Sequence, residues 1–395
     1  MSLHDTPNAS RLHIGILGRR NAGKSSLINA LTDQQTALVS PVAGTTTDPV
    51  YKAMELRGFG PSVFIDTAGL DDEGDLGVLR VEKTREAAKK ADVAIFVFTE
   101  APGPEESWIR ELQERKVPVI PVVNQCDRLD PEPIQKAIFE KFGLTALPVS
   151  AKTGENVELL RKMLLEAAPE NFWEITITGD LVGQGDLVLL VMPQDIQAPK
   201  GRLILPQQQT LRELLDKKCL IMSTTVDGLE DALAALSRPP KLIITDSQVF
   251  PQVYAKKPEG SLLTSFSILF AGYKGDINVF IEGASAIESL TENSRVLIAE
   301  ACAHAPTEED IGREKIPALL RKKTGQGLQV DFVRGSDFPK DLSGYDLVIH
   351  CGACMFGRRH VLSRIYQAQS QNVPMCNYGI AIAALTGILG KVVHA

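Results

Sequence analysis

The chain has 395 residues, of which 44% are hydrophobic and 23% are charged, and its formal net charge is −7 at pH 7. This length indicates two or three domains, and the acidic balance gives no general electrostatic reason to bind nucleic acid or an anionic membrane. No run of about 18 apolar residues predicts a membrane span, and the N-terminus lacks the pattern of a signal peptide. We therefore expect a cytoplasmic protein with reduced cysteines and with neither nucleic acid nor membrane as a partner.

The first predicted strand, 11–18, runs into Gly-Arg-Arg-Asn-Ala-Gly-Lys-Ser at 18–25 and then into a helix. This is the G-x-x-x-x-G-K-S motif of phosphate-binding loops, in the strand–loop–helix context that the motif requires. Backbone amides of such a loop surround phosphates, and the helix N-terminus adds partial positive charge. We expect Lys24 to contact the β- and γ-phosphates and Ser25 to bind Mg²⁺. The loop residues predicted to bind nucleotide are Gly18, Asn21, Ala22, Gly23, Lys24, Ser25 and Ser26.

Two further motifs follow in the order that a GTPase needs. Thr46 lies in the polar stretch 44–48 and has a hydroxyl suited to Mg²⁺ when the γ-phosphate is present. The strand 63–66 ends in Asp66, a Walker-B-type aspartate, and Gly69 then allows close approach to the γ-phosphate. With Lys24 and Ser25, these three residues form the predicted catalytic set.

A third pair of motifs points to guanine. The buried strand 119–123 leads into Asn-Gln-Cys-Asp at 124–127, which resembles the N-K-x-D loop of regulatory GTPases. In that loop the aspartate, here Asp127, accepts hydrogen bonds from the guanine base, beside Asn124. Ser150, Ala151 and Lys152 follow the strand 146–149 and match the S-A-K loop behind the base. The predicted substrate is therefore GTP, with Mg²⁺.

Three positions bear on hydrolysis and affinity. Gln125 replaces the lysine whose stem normally lies along the purine, which predicts weaker base affinity. Leu70 stands where many GTPases have a glutamine that positions water, so intrinsic hydrolysis is expected to be slow. Asn21 resembles the asparagine with which potassium-activated GTPases hold K⁺ beside the phosphates, although asparagine is also a common turn residue. We predict K⁺-stimulated hydrolysis.

The rest of the chain alternates short strands and helices. Residues 171–260 predict a small α/β domain without an acid/base pair or ligand cluster, including a short strand at 203–205. Residues 261–395 begin with a predicted helix at 261–272 and continue as βα units, which indicates a doubly wound parallel sheet. The predicted fold is therefore α/β in three domains: a P-loop GTPase domain at 1–170, a small domain at 171–260 and a parallel-sheet domain at 261–395.

The last domain has cysteines and histidines where two of its predicted strands end. Cys302 and His304 follow one strand, while His350, Cys351 and Cys354 follow another. Because the carboxyl ends of parallel strands share one edge, these residues are expected to meet there. Three thiolates with one or two imidazoles suit tetrahedral zinc or an iron–sulfur cluster, and the spacing does not separate the two. The alternative is that these cysteines are buried apolar residues.

A GTPase followed by C-x-H and H-C-x-x-C resembles the FeFe-hydrogenase maturation GTPases, the HydF family, over the whole chain. The resemblance implies a homodimeric scaffold whose second domain mediates dimerisation and whose last domain binds a 4Fe–4S cluster through Cys302, Cys351 and Cys354. It implies His304 and His350 as exchangeable ligands. It also implies that the scaffold receives a di-iron precursor from two radical-SAM maturases and delivers it to apo FeFe-hydrogenase.

Two other functions agree with parts of the sequence. One is a GTPase of RNA modification or ribosome assembly with a structural zinc module. It predicts a basic RNA-facing surface, and the last domain has only short basic runs at 321–323 and 358–359. The other is a redox-sensing GTP switch in which loss of a cluster changes the rate of hydrolysis.

Overall fold

The structure is a computed structural model that describes residues 7–32, 49–56, 59–67, 75–169, 175–193, 203–301, 310–335 and 337–395. Two compact units divide the chain, Met1–Glu174 and Ile175–Ala395. The predictions for Thr46, Gly69, Leu70, Cys302 and His304 lie outside the described residues. Within them, no helix is long and apolar enough to cross a bilayer.

The first unit is built on a sheet whose described strands have the order β2-β3-β1-β4-β5-β6. All neighbours pair in parallel except β2, which is an antiparallel edge strand. The strands are β1 (Leu12–Gly18), β2 (Val50–Leu56), β3 (Gly60–Asp66), β4 (Val93–Phe98), β5 (Val119–Asn124) and β6 (Leu147–Val149). The helices are α1 (Lys24–Thr32), α2 (Asp75–Ala88), α3 (Glu106–Glu114), α4 (Glu132–Phe142) and α5 (Val157–Ala167).

Burial follows the position of each strand in this sheet. The central strands β1 and β4 are buried along their whole length, as expected for parallel strands covered on both faces. Helices α1 and α5 pack their apolar sides on one face, and α3 and α4 pack on the other. The edge strand β2 is mostly exposed. Two layers of helices therefore enclose the strands whose carboxyl ends bear the nucleotide motifs.

The second unit begins with a parallel sheet in the order β10-β9-β7-β8. Its strands are β7 (Leu187–Val191), β8 (Leu220–Thr224), β9 (Leu242–Thr245) and β10 (Leu262–Ser265). Its helices are α6 (Leu205–Asp216), α7 (Leu229–Ala234), α8 (Phe250–Lys256) and α9 (Phe266–Lys274). Strand β8 is an edge with exposed Leu220, and Leu215 near the end of α6 is also exposed.

A third sheet, also parallel, has the order β12-β11-β13-β14. Its strands are β11 (Arg295–Glu300), β12 (Gln329–Arg334), β13 (Leu347–His350) and β14 (Met375–Asn377). The helices of this part are α10 (Ile277–Ala284), α11 (Ile316–Thr324), α12 (Arg358–Ser370) and α13 (Tyr378–Leu385), with a π-helical turn at Ile311–Lys315 before α11. The second and third sheets share one apolar core, in which residues of β7 and β9 and residues of β11 and β13 belong to the same cluster.

The predicted α/β class is confirmed, including the P-loop sheet at the N-terminus and the parallel sheet at the C-terminus. Two local predictions are wrong. Residues 203–205 are not a strand, because α6 begins at Leu205 with proline in its first turn. Residues 261–272 do not form one helix, since 262–265 pair with β9 and Ser265 then caps α9 with its hydroxyl. The predicted domain boundaries at 170/171 and 260/261 stay predictions.

Candidate functional site

The phosphate-binding loop lies between β1 and α1, and two glycines allow its path. Gly18 has φ +146°, and a Cβ there would lie 2.4 Å from the carbonyl oxygen of Val97. Gly23 has φ +86°, and a Cβ there would lie 2.3 Å from Nδ2 of Asn124. Both positions therefore need glycine for conformation and for space. The loop that results ends at the N-terminus of α1, where backbone N–H groups are available to an anion.

Lys24 and Ser25, at the end of this loop, each form hydrogen bonds within the protein. Nζ of Lys24 donates to the carbonyl oxygens of Gly18 at 2.9 Å and Arg19 at 2.8 Å, which holds the ammonium over the loop. Oγ of Ser25 donates to Oδ2 of Asp66 at 2.9 Å. Lys52 on β2 contacts the same carboxylate oxygen at 3.2 Å. A hydroxyl beside a carboxylate at the end of β3 is a donor set that suits Mg²⁺.

The residues predicted to read the base form a second network at the ends of β5 and β6. Nδ2 of Asn124 donates to the carbonyl of Ala22 at 2.8 Å, and Oδ1 of Asn124 accepts from the backbone N–H of Ala151 at 3.2 Å. Oγ of Ser150 donates to Oδ1 of Asp127 at 2.8 Å. Asn124 is buried and therefore connects the phosphate-binding loop to the base-reading loops. The side chain of Asp127 is only 17% exposed, and its Oδ2 lies 3.8 Å from Nε of Arg128.

Asn21 and Gln125 are in contact and share an unusual backbone conformation. Their φ angles are +60° and +65°, in the left-handed region. Nε2 of Gln125 donates to the carbonyl oxygen of Asn21 at 3.3 Å. Asn21 is exposed at the tip of the loop. Asparagine adopts positive φ more readily than most residues, so this geometry agrees both with a turn residue and with a cation ligand.

The structure therefore brings the described nucleotide residues together at one edge of the first sheet. Ser26 lies one residue further into α1, and Lys152 is exposed in the turn after β6. The nucleotide-binding and catalytic roles remain predictions. Sequence reasoning missed Lys52, which no motif indicates because its contact with Asp66 depends on the antiparallel pairing of β2 with β3.

The second candidate site lies where β11 and β13 end. The two strands are neighbours in parallel register, with Ala299 opposite His350. The backbone N–H of Ala301 donates to Sγ of Cys351 at 3.0 Å, and the backbone N–H of Cys351 donates to the carbonyl of Ala299 at 2.9 Å. Cys302 follows Ala301 in the sequence and lies outside the described residues. The predicted contact between the ends of β11 and β13 is therefore present as far as residue 301.

The two described cysteines of this site are in one short loop between β13 and α12. Cys351 and Cys354 are both partly exposed. Between them Ala353 has φ +53°, a left-handed turn that changes the direction of the chain. Among the residues that the structure describes, no group of three Cys, His, Asp or Glu side chains is placed to hold a metal. Cys302 and His304 would have to complete such a group.

His350, the last residue of β13, is fully buried. Its Nδ1 lies 2.8 Å from the carbonyl oxygen of Cys351, and its Nε2 lies 2.8 Å from Nη1 of Arg364. Burial and the neighbouring Arg364 guanidinium lower the pKa of His350 to about 3. The imidazole is therefore neutral at physiological pH. It could bind iron only after one of its two hydrogen bonds is broken.

Arg364 is the second residue that sequence reasoning missed. It lies on α12 with a side chain that is 3% exposed, and its guanidinium is 4.7 Å from the ring centroid of Phe338 and 4.8 Å from that of Phe356. The sequence did contain a signal, because 364 falls at helical spacing among the apolar positions 361, 365 and 368. An arginine on an apolar helix face is normally there to bind a buried acceptor.

The other described cysteines are poor candidates for metal binding. Cys376 on β14 is completely buried, and burial strongly raises the pKa of its thiol. Cys219 is also buried before β8, with a raised pKa from the same cause, as expected for a core residue. Burial raises the pKa of Cys126 in the base-reading loop as well. None of the three lies at the ends of β11 or β13.

Three family models match successive parts of the chain. Residues 13–125 match a 50S ribosome-binding GTPase. Residues 177–275 match the hydrogen maturase F dimerization domain, and residues 278–395 match the hydrogen maturase F tetramerization domain. The chain belongs to the hydrogen maturase F family. As a member of that family it combines a GTPase domain with two domains of self-association.

Curated relatives of the GTPase class match about 40% of this chain. The tRNA modification GTPase MnmE of Paraburkholderia xenovorans is 36% identical over 160 residues, which are 40% of this chain and 34% of the relative. GTPase Der of Wolinella succinogenes is 34% identical over 175 residues, 41% of this chain and 37% of the relative. The chain thus spans about a third of the length of these relatives. The relatives named MnmE cover only the GTPase part of this hydrogen maturase F member.

Solved structures also match parts of the chain. Era from Aquifex aeolicus has a TM-score of 0.36 at 21% identity and covers 57% of this chain and 98% of its own. The NFeoB domain from S. thermophilus, bound to GDP, AlF4− and K⁺, has a TM-score of 0.32 at 20% identity and covers 39% of this chain and 61% of its own.

Proposed function

We propose that this protein is a GTP-hydrolysing scaffold, a chaperone-like carrier that binds a 4Fe–4S cluster, holds a di-iron precursor of the hydrogenase active site and delivers it to apo FeFe-hydrogenase. Membership of the hydrogen maturase F family supports this proposal. The observation that carries it is the bond from the backbone N–H of Ala301 to Sγ of Cys351. This bond joins the ends of β11 and β13, and the candidate cluster ligands follow these two strands in the sequence.

In the first unit, the described residues support GTP binding and hydrolysis. The amides at 18–25 and the Lys24 ammonium would bind the β- and γ-phosphates, while Asp127 would accept from the guanine base. Ser25 and Asp66 would hold Mg²⁺, and the ion supplies positive charge beside the transferred phosphoryl group. Thr46 and Gly69 are proposed to contact the ion and the γ-phosphate. Catalysis by this group of residues is mainly positioning and electrostatic stabilisation.

We include K⁺ in the proposal because Leu70 has no group that can position water. Asn21 is exposed at the tip of the phosphate-binding loop, where its amide oxygen would be available to a monovalent cation. A cation there would supply positive charge near the phosphates, as an arginine finger does in other GTPases.

The cluster is proposed to bind through the thiolates of Cys302, Cys351 and Cys354. Cys351 already accepts a backbone hydrogen bond, which is a common feature of thiolates that ligate iron–sulfur clusters. The loop around Ala353 presents Cys351 and Cys354 three residues apart. Three cysteines leave one iron for a weaker ligand. His304 and His350 remain the candidates for it, although His350 would first have to leave Cys351 or Arg364.

The partners follow from the same family. The dimerization and tetramerization domains support self-association, for which we propose a cytoplasmic homodimer as the basic unit. Two radical-SAM maturases would supply the di-iron precursor, and the apo-hydrogenase would receive it. Relatives that act in RNA modification share only the GTPase part, so no observation on the rest of the chain favours that alternative.

Reconstitution tests the proposal. The full-length protein is incubated anaerobically with iron and sulfide, and iron, sulfide and zinc are then measured with EPR spectra before and after. We expect about four irons and four sulfides per chain, as in a cubane cluster, and transfer of activity to immature hydrogenase when the precursor is supplied. Tight stoichiometric zinc without iron uptake would support a structural zinc module instead. A cluster that changes the rate of GTP hydrolysis but never activates hydrogenase would support the redox switch.

A further inference from the structure

The residues behind the cysteine loop form a hydrogen-bond network centred on Arg364 of α12. Arg364 is buried on α12 and donates to Nε2 of His350 at 2.8 Å. It also donates to the carbonyl oxygen of Gly335, in the turn after β12. Burial of a guanidinium is unfavourable unless acceptors compensate for the lost water. Through these two acceptors, Arg364 connects α12 to β13 and to the turn after β12.

The hydrogen bonds determine which nitrogen of His350 bears the proton. A guanidinium has only donors, so Nε2 of His350 must be the acceptor in the contact with Arg364. A neutral imidazole with an unprotonated Nε2 has its proton on Nδ1. Nδ1 lies 2.8 Å from the carbonyl oxygen of Cys351 and donates to it. Arg364 thus fixes the tautomer that holds the backbone of Cys351.

Aromatic rings keep this arrangement in place. Phe338 and Phe356 each lie within 5 Å of the Arg364 guanidinium carbon. Phe356 also stacks on His360, with ring centroids 3.9 Å apart. Since Phe356 follows Cys354 by two residues, both ends of the cysteine loop contact the same guanidinium network. A planar guanidinium suits a site that combines ring contacts with directed donors, which lysine does not reproduce.

We propose that Arg364 is a positioning residue for the cysteine site, where it holds His350 as a hydrogen-bond donor to Cys351 rather than as a ligand of iron. This inference rests on the proposed function, because the groups that it orients are the proposed thiolate ligands. His350 and Arg364 form an outer layer that orients the Cys351–Cys354 loop.

The first experiment needs no cluster. The full-length metal-free protein is labelled with ¹⁵N-histidine, and long-range ¹H–¹⁵N spectra identify the tautomer of each of its six histidines. The signals of His350 are assigned by their loss in His350→Asn. We expect a proton on Nδ1 in the wild type and a mixture of tautomers in Arg364→Met. A proton on Nε2 in the wild type would overturn the inference, whether or not the protein later proves to bind iron.

The second experiment compares iron retention by reconstituted variants against a chelator. Loss of an outer-layer partner commonly weakens metal binding by about 10- to 100-fold, and we expect such an effect for Arg364→Met. In His350→Asn, the amide can still donate to the carbonyl of Cys351, so iron and the EPR signal should be retained. Arg295→Met is the charge-matched control, since Arg295 begins β11 at the opposite edge of the sheet and pairs with Asp331.

The outcomes separate the two proposals. If wild-type protein takes up no iron, the proposed function fails, while the tautomer spectra still decide the role of Arg364. If His350→Asn loses iron as fully as Cys351→Ser, His350 is a ligand and the positioning role is wrong. If Arg364→Met does not fold by circular dichroism, Arg364→Lys replaces it. Lysine keeps the charge but cannot reproduce the planar fork, so unchanged iron retention in that variant would also contradict the inference.

Discussion

The nucleotide-binding edge of the first sheet and the cysteine-bearing edge of the third sheet obey one topological rule but are built differently. Both lie at the carboxyl ends of parallel strands, where ligands of open α/β sheets bind. The first uses a contiguous stretch, 18–25, whose backbone conformation depends on Gly18 and Gly23. The second joins Ala301 to Cys351, fifty residues apart, through strand register and a backbone-to-sulfur hydrogen bond.

This difference indicates which substitutions should disrupt each site. In the phosphate-binding loop, Lys24 is held by contacts within the strand–loop–helix unit, and Asp66 and Asn124 then reach the loop directly from the ends of other strands. At the cysteine edge, the orientation of the loop depends on a buried histidine and on Arg364 from a later helix. We therefore expect substitution of the direct ligands to cause the largest loss of bound iron at this edge. Substitution of residues that touch no metal should cause a smaller but still marked loss.

The largest expected effect is the loss of iron from cysteine variants. Cys302→Ser, Cys351→Ser and Cys354→Ser should each remove nearly all reconstituted iron and abolish maturation of hydrogenase, because each removes one of three anionic soft ligands. Iron and acid-labile sulfide per chain, with EPR of the reduced protein, measure the effect.

The matched control is Cys376→Ala, because Cys376 is buried on the neighbouring strand β14, opposite Ile349, and is not among the proposed ligands. It should keep its iron. Full iron retention in Cys351→Ser, or its loss in folded Cys376→Ala, would mean that the site is not the one described. His304→Ala should keep a cluster with an altered EPR signal, and exogenous imidazole should perturb the wild-type spectrum.

A second large effect should be confined to the other site. Lys24→Ala removes the ammonium that Gly18 and Arg19 hold over the phosphate-binding loop. Hydrolysis of GTP should fall by at least ~100-fold, as when one electrostatic stabiliser is removed from other enzymes. The cluster signal should persist, because the cysteines are in a separate compact unit.

Lys136→Ala on α4 is the control for this variant, since Lys136 is exposed and pairs only weakly with Glu140 at 3.9 Å. Its rate of hydrolysis should equal that of the wild type. If Lys24→Ala loses its cluster while circular dichroism shows an intact fold, the nucleotide site and the cysteine site are not independent.

The potassium effect should be smaller. At equal ionic strength, hydrolysis should be roughly tenfold faster in K⁺ than in Na⁺, because a bound cation supplies part of the charge stabilisation that an arginine finger gives elsewhere. The informative variant is Asn21→Gly. Asn21 has φ +60°, and glycine removes the side chain without adding backbone strain. Steady-state phosphate release in each salt measures the effect; equal rates, or an effect that survives in Asn21→Gly, would exclude Asn21 as the cation ligand.

Much of the fold was predictable because its signals are local. The apolar runs of β1, β5 and β13, each followed by a polar motif, indicate parallel strands and place the motifs at strand ends. Strand 262–265 was missed because it runs directly into α9, so its apolar residues continue the helical pattern without a break. Residues 203–205 were mistaken for a strand because three apolar residues are too few to show a period.

The candidate sites were predictable only where a motif covers them. Lys24, Ser25, Asp66 and Asn124 lie in contiguous patterns with a known chemistry, and the structure places them together. Lys52 and Arg364 reach their partners through antiparallel pairing and helix packing, which the sequence does not encode locally. For the same reason, the sequence did not reveal that His350 has both nitrogens in hydrogen bonds.

The smallest expected effect concerns the guanine loop. Gln125 donates to the carbonyl of Asn21 at 3.3 Å, and this hydrogen bond is exposed, so it contributes little free energy. Gln125→Lys would exchange this bond for a longer stem along the purine face. Burial of one to two methylene groups favours binding by about 1 kcal/mol, so the Kd for GDP should fall roughly fivefold. Calorimetric titration of GDP measures it.

The turnover rate at saturating GTP should stay the same in Gln125→Lys, because the substitution lies at the base and not at the γ-phosphate. Gln125→Met is the control, since it has an apolar stem without charge. If Met and Lys tighten GDP equally, the stem accounts for the gain; if only Lys does, its charge contributes. A weaker GDP complex in both variants would show that the bond to Asn21 supports the phosphate-binding loop. The base-reading and phosphate-binding parts of this edge would then be one coupled unit, which the contact from Asn124 to Ala22 already suggests.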